Sequence, residues 1–302
     1  MAGGDTKAEV LKSLAANLAI AVCKAVVAVI SGSGAMLAET LHSFADCSNQ
    51  LLLLRGMRRA RRGPDEHHPF GHGRELYFYS FVVALLLFFG GGVFSIVEGV
   101  DKVRDPEPVT NVLWPLIVIG VALVLEGMSL LSNVRAMSAR RTGGSLWSYL
   151  RDSKDADLIV TAGENAADVL GLVCAGTAIG LAKLTGDGRW DGVGSLAVGA
   201  VLVGIAGFLV REVKSLLVGE AADPSYQAAL RRLADADPNV DAVLNALTLQ
   251  QGPGEVLVAM KLKMRDGLSG AEMVAAINAF ERAIKVELPD VKWSFMEPDD
   301  SD

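Results

Sequence analysis

The chain has 302 residues, of which 51% are hydrophobic and 21% charged, with a formal net charge of -7. A mean hydropathy of +0.36 with so few charges is rare among soluble domains and points to an integral membrane protein in contact with the lipid bilayer. The acidic balance, without a basic patch, argues against a nucleic-acid partner. Charge is also unevenly spread. Residues 1–219 hold 20 basic and 20 acidic groups, whereas residues 220–302 hold 8 and 15. Cys23, Cys47 and Cys174 lie in apolar stretches without CxxC spacing, so they read as small buried hydrophobes rather than disulfide or thiolate ligands.

In chain order, six apolar stretches approach the roughly 20 residues that a membrane helix needs. They run near Leu11–Ile30, Ala35–Leu54, Leu76–Val100, Val112–Asn133, Leu158–Lys183 and Val193–Val210. Only Ser31-Gly32-Ser33-Gly34 separates the first two, which must therefore pair antiparallel across a tight turn. The next loop carries Arg55, Arg58, Arg59, Arg61, Arg62 and Arg74; the loop from Arg135 to Asp155 carries Arg135, Arg140, Arg141, Arg151 and Lys154. The positive-inside rule places these two loops, and with six spans both termini, in the cytoplasm.

Beyond Lys214 the composition becomes that of a small globular domain. A helix is expected over Pro224–Asp235 behind an Asp223 cap, then strands over Val240–Gln250 and Glu255–Met264 joined by the turn Gln251-Gly252-Pro253-Gly254. In the second strand Val256, Val258, Met260, Leu262 and Met264 share one face. Ser269 and Glu272 are spaced as a capping box for a helix reaching Glu287, and Val291–Met296 is a third strand. The expected organisation is a six-helix transmembrane bundle over residues 1–215 and a small α+β domain, ordered α-β-β-α-β, over residues 216–302. A domain of about 80 residues is marginal alone, so docking or dimerisation is expected of it.

The second span is unusual because it carries Glu39, His42, Asp46, Asn49 and Gln50. His42 and Asp46 are i and i+4, hence on one helix face. The fifth span repeats the device with Glu164 and Asp168. Two helices that each offer a pair can enclose a cation with four ligands. Three carboxylates and an imidazole suit a borderline-to-hard dication: zinc, manganese, cobalt or iron(II). In low dielectric the carboxylates need a dication or protons as compensation, so the site holds one or the other. A purely structural account, with each pair hydrogen-bonded inside the bundle, suits one pair better than two. Lys24 is placed to pair with Glu39 or Glu126 or to snorkel, while Asn17, Asn49, Glu126 and Ser129 line or brace the interior.

A second histidine group occupies the first basic loop, Asp65-Glu66-His67-His68-Pro69-Phe70-Gly71-His72-Gly73. Asp65, His68 and His72 either converge on a surface metal ion or belong to a loop that merely buffers ions.

The loop His68–Tyr77 (HPFGHGRELY), the string HSFADCSNQ from His42 to Gln50, the paired intramembrane ligands and the α-β-β-α-β tail resemble the cation diffusion facilitator family, the zinc-transporter solute carriers and their bacterial relatives. The resemblance implies a homodimeric exporter of a bacterial inner membrane that moves a divalent metal, zinc foremost, out of the cytosol against protons. Alternating access would occur around His42, Asp46, Glu164 and Asp168. It also implies a second site at Asp65, His68 and His72, and a dimerising C-terminal domain. Many family zinc transporters have His where this chain has Glu164. That change hardens the site and moves proton carriage towards His42, with Asp46 and Asp168 sharing it. The C-terminal domain has no histidine, which argues against a binuclear metal centre there. Two other readings use the same groups: a membrane-embedded metal-dependent hydrolase with Glu39 as base, disfavoured by the lack of an HExxH helix, and a non-transporting metal sensor.

Overall fold

A computed structural model describes residues 3–109, 111–140, 145–153 and 156–301. Arg141 and Lys154 of the second basic loop lie outside these residues. The long helices are α1 (Gly3–Ser31), α2 (Gly34–Ala60), α3 (Glu75–Arg104), α4 (Leu113–Arg140), α6 (Ala156–Thr185) and α7 (Arg189–Val218). They form a membrane helical bundle. A short helix that the sequence did not announce, α5 (Leu146–Asp152), interrupts the second basic loop. It begins with a reciprocal Ser145–Ser148 cap, in which the Ser148 amide donates to Ser145 Oγ at 3.1 Å.

Helices α3, α4, α6 and α7 are each long and apolar enough to cross a membrane, and Asn17–Ser31 of α1 is a shorter apolar helix. Helix α2 has 27 residues, ample for a span, but its polar side chains dilute its apolar character. Lipid-facing surface is plain on α4, where Ile117, Val121, Val124, Leu125 and Met128 are exposed while Ile119 and Ala122 are buried. An apolar stripe of that size facing water would be a strong liability; facing acyl chains it is the solvated side.

Helices α3 and α7 meet through glycines. A Cβ on Gly99 would stand 2.8 Å from the Gly192 carbonyl, and one on Gly199 would stand 2.9 Å from the Gly92 carbonyl. Two glycines seven residues apart on each helix thus let the backbones touch, the usual route to tight packing where lipid removes the hydrophobic drive between helices. Gly92 belongs to a π-helical segment, Leu87–Val93, inside α3. Its three consecutive glycines weaken the regular turn and allow the wider one.

The described residues divide into two compact units, one drawn from Met1–Arg55, Tyr79–Arg151 and Asp157–Glu212, the other from Gly56–Phe78, Asp152–Ala156 and Val213–Asp302. In the second unit, helix α8 (Pro224–Ala236) precedes β1 (Val240–Gly252) and β2 (Glu255–Met264), and helix α9 (Gly270–Glu287) precedes β3 (Val291–Pro298). Strand order is β1-β2-β3, antiparallel in the first pair and parallel in the second. The alternation in β2 is realised: Val256, Val258, Met260, Leu262 and Met264 are all buried against Leu230 and Ala234 of α8 and Ala276, Phe280 and Ile284 of α9. Both helices therefore cover one face. On the other face Leu247 and Phe295 stay exposed, at 61% and 54%. Gly254, at φ +67°, makes the hairpin turn.

Both predicted helix caps of this unit are present. Asp223 accepts from the Ser225 amide at 2.8 Å, and Ser269 and Glu272 form a reciprocal capping box. Phe280→Ala should destabilise this unit by about 3–5 kcal/mol, read from Trp293 emission in urea with the other tryptophans replaced by Phe. The hydroxyl of Ser269 holds the Glu272 carboxyl below its ordinary pKa, and the Lys261 ammonium does the same for Asp299. A depressed carboxyl contributes stability above its unfolded pKa and loses it as pH falls through the folded value. The unit should therefore melt at progressively lower temperature as pH drops below about 4, and Glu272→Gln with Asp299→Asn should flatten that acid limb.

Candidate metal-binding site

Three of the four intramembrane ligand candidates converge. His42 Nε2 lies 3.0 Å from Asp168 Oδ1, and His42 Nδ1 lies 3.6 Å from Asp46 Oδ1. One ligand atom from each of these three residues falls within 4.8 Å of the others. His42 is fully buried, and both its ring nitrogens and Asp46 Oδ1 lack a well-directed hydrogen bond. A buried imidazole flanked by carboxylates from two helices is a donor set that suits a divalent cation. The i, i+4 spacing on α2 and the approach of α6 produce this arrangement.

Glu164 is placed differently. Its Oε1 accepts a hydrogen bond from Asn49 Nδ2 at 2.9 Å, and it is not among the three clustered ligands. One turn along α2 from Asp46, Asn49 is fully buried. Ser129 on α4 donates to Asn165 Oδ1 at 3.2 Å, tying α4 to the same stretch of α6. Asn49 and Ser129 thus brace the interior, as their positions in the spans indicate.

A buried ion pair lies one helical turn from the cluster. Lys24 Nζ donates to Glu39 Oε2 at 3.1 Å and to Ser43 Oγ at 2.8 Å, with both charged side chains at most 1% exposed. Of the three courses open to Lys24, pairing with Glu39 is the one adopted. Glu39 needs room on α6, and Gly171 supplies it: a Cβ there would stand 2.5 Å from Glu39 Oε1. Gly171 is three residues from Asp168, so Glu39 lies one turn from a ligand on both helices.

Asp191 is a functional group that sequence reasoning missed. Completely buried, it sits in the first turn of α7 and caps α2 from across the bundle. Its carboxylate accepts from the Gly34 amide at 2.5 Å and the Ala35 amide at 3.3 Å, while Ser33 Oγ accepts from Met36 at 3.1 Å. A negative charge on otherwise unpaired amides is favoured by the helix dipole. It fixes where α2 starts, and hence the phase of His42 and Asp46. The signal available was an acidic residue beside the final span, just outside the expected start at Val193.

In the second unit the loop histidines also converge. Asp65 Oδ2 is 2.8 Å from His72 Nε2, and Asp65 Oδ1 is 3.2 Å from His68 Nδ1. One ligand atom from each of Asp65, His68 and His72 lies within 4.8 Å of the others. His72 Nδ1 faces Glu75 Oε1 at 3.1 Å, and Glu75 receives Arg59 at 3.3 Å. The hydrogen bond from His72, with the His68 and His67 amides, holds the Asp65 carboxyl well below the usual carboxylate range, and Asp65 in turn raises His72. Phe70, in the same loop, meets Trp293 and Phe295 edge-on, with ring centroids 5.7 and 6.5 Å away.

Residues 10–218 match the cation efflux transmembrane domain family. The chain belongs to this family. It is 34% identical over 230 residues to the Xenopus laevis protein named proton-coupled zinc antiporter SLC30A9, mitochondrial, covering 76% of this chain and 41% of that one. Against Arabidopsis thaliana metal tolerance protein C4 it is 31% identical over 226 residues, covering 74% and 50% of the two chains. Against the cation-efflux pump FieF of Shewanella oneidensis it is 27% identical over 292 residues, covering 93% and 89%. This member of the cation efflux family thus spans half or less of the length of the first two relatives.

The Lys24–Glu39 pair yields a test of burial. Removing one partner leaves an uncompensated charge in low dielectric, whereas removing both does not. Lys24→Met should lower the thermal stability of the detergent-solubilised protein more than Lys24→Met combined with Glu39→Gln, measured by the temperature of half-aggregation.

Proposed function

We propose that this chain is a proton-coupled antiporter that exports divalent transition-metal cations, zinc foremost with manganese, cobalt and iron(II) as alternatives, by alternating access. The observation that carries this reading is the convergence of His42, Asp46 and Asp168 inside an apolar bundle of the cation efflux family. Ionisable groups at such depth are costly and usually mark a substrate path. The relatives named as a zinc antiporter and a cation-efflux pump support metal as the cargo.

His42, Asp46, Glu164 and Asp168 bind the cation. When it leaves, protons on His42, Asp46 and Asp168 take over its charge compensation, so outward metal movement is linked to inward proton movement. The two Arg-rich loops face the cytosol, as do both termini. Residues 1–215 transport. Residues 216–302 form a dimerising C-terminal domain. Asp65, His68 and His72 bind a second metal ion at the protein surface.

The test is metal uptake by sealed proteoliposomes under an imposed pH gradient. Saturable zinc uptake that collapses when the gradient is discharged, and falls to the level of empty vesicles in Asp168→Ala, is expected. Uptake indifferent to the gradient removes the antiport; uptake unchanged in Asp168→Ala removes the site.

A further inference from the structure

The three-ligand cluster and the separately held Glu164 belong to one arrangement. A cation in the cluster has His42, Asp46 and Asp168 around it, and Glu164 is the remaining anionic candidate on the neighbouring turn of α6, one turn before Asp168. Its Oε1 is engaged by the Asn49 amide at 2.9 Å. Asn49 follows Asp46 by three residues, on the same face of α2, so its amide group and the ligands look into one space. Asn49 is fully buried, and its Oδ1 has no hydrogen-bond partner of its own. The side chain is therefore oriented with its donor towards the carboxylate, the orientation that the chemistry of an ionised acceptor requires.

We propose that Asn49 is a positioning residue that keeps Glu164 as a switchable fourth ligand, exchanged between the Asn49 amide and the transported cation. The inference rests on the metal-site reading above. With Glu164 on Asn49, the site offers three protein ligands and an open position through which the ion enters or leaves. With Glu164 on the cation, the shell is closed. The ion's apparent affinity is then its intrinsic affinity diluted by the fraction of molecules in which Glu164 is available. Asn49 sets that fraction, and so trades tight binding for release.

The experiment compares Asn49→Leu with the unaltered chain in proteoliposomes, measuring KM and maximal rate for zinc, and in detergent, measuring zinc Kd by competition with a chromophoric chelator. Losing a hydrogen bond to a charged group corresponds to about a ten- to hundredfold change. KM and Kd should both fall by that factor and the maximal rate should fall with them, because the closed shell holds its ion longer. A damaged fold would instead raise KM or leave it unmoved while activity is lost. In a Glu164→Gln background the Asn49→Leu effect should vanish, since no anionic ligand remains to be released. If Asn49→Leu does not yield a monodisperse protein, Asn49→Ala serves in the same scheme.

KM and Kd that stay unchanged or rise, or an effect of equal size in the Glu164→Gln background, would overturn the latch. Asp168→Ala distinguishes this failure from that of the underlying reading. Zinc flux that survives Asp168→Ala sinks the site itself, whereas Asp168-dependent flux with unmoved affinity sinks only the role of Asn49.

Discussion

The arrangement depends on one constraint: ionisable groups held in low dielectric must compensate one another locally. Inside the first unit the chain places Lys24, Glu39, His42, Asp46 and Asp168 within about two turns of α2 and the facing parts of α1 and α6. Lys24 neutralises Glu39, and this pair is closed to solvent. Among the described residues no lysine or arginine is ion-paired with the cluster. In the function proposed above its carboxylates are compensated by the cargo or by protons, which would set them apart from the closed Lys24–Glu39 pair.

The surrounding scaffold serves to keep α2 and α6 in phase. Asp191 pins the start of α2 from α7, Gly171 lets Glu39 lie flat against α6, and the glycines of α3 and α7 bring those two helices into backbone contact. Each of these is a close approach, and each would be spoiled by a methyl group or a shift of one residue. Such precision is needed because His42 and Asp168 come from helices more than a hundred residues apart in the chain, and a metal shell tolerates little error in ligand position.

The long helices, the strands of the second unit and the polar residues that cluster inside the first unit were legible in the sequence because each rests on local periodicity. Period-two burial wrote β2, a capping box wrote the start of α9, and the i, i+4 pairs on two apolar helices pointed to His42, Asp46 and Asp168, which cluster. What was not legible depends on which helices touch. Asp191 acts at the far end of another helix. Lys24 had two possible carboxylate partners, and only the packing of α1 on α2 chooses Glu39. Glu164 has the spacing of a ligand, yet its engagement with Asn49 is a tertiary fact. The short helix α5 lay in a stretch whose charges pointed to a loop, and its Ser145–Ser148 cap is a weak local signal beside them.

The aromatic seat of Phe70 has a consequence for how the gene could be shortened. The segment bearing Asp65, His68 and His72 precedes α3, yet its Phe70 ring rests on Trp293 and Phe295 at the other end of the chain. A protein ending at Val218 would keep all six long helices and the buried cluster. It would also lose the surface against which that histidine segment is held. Trimming the tail is therefore not a neutral separation of modules, for it would unseat a side-chain cluster encoded roughly two hundred residues upstream.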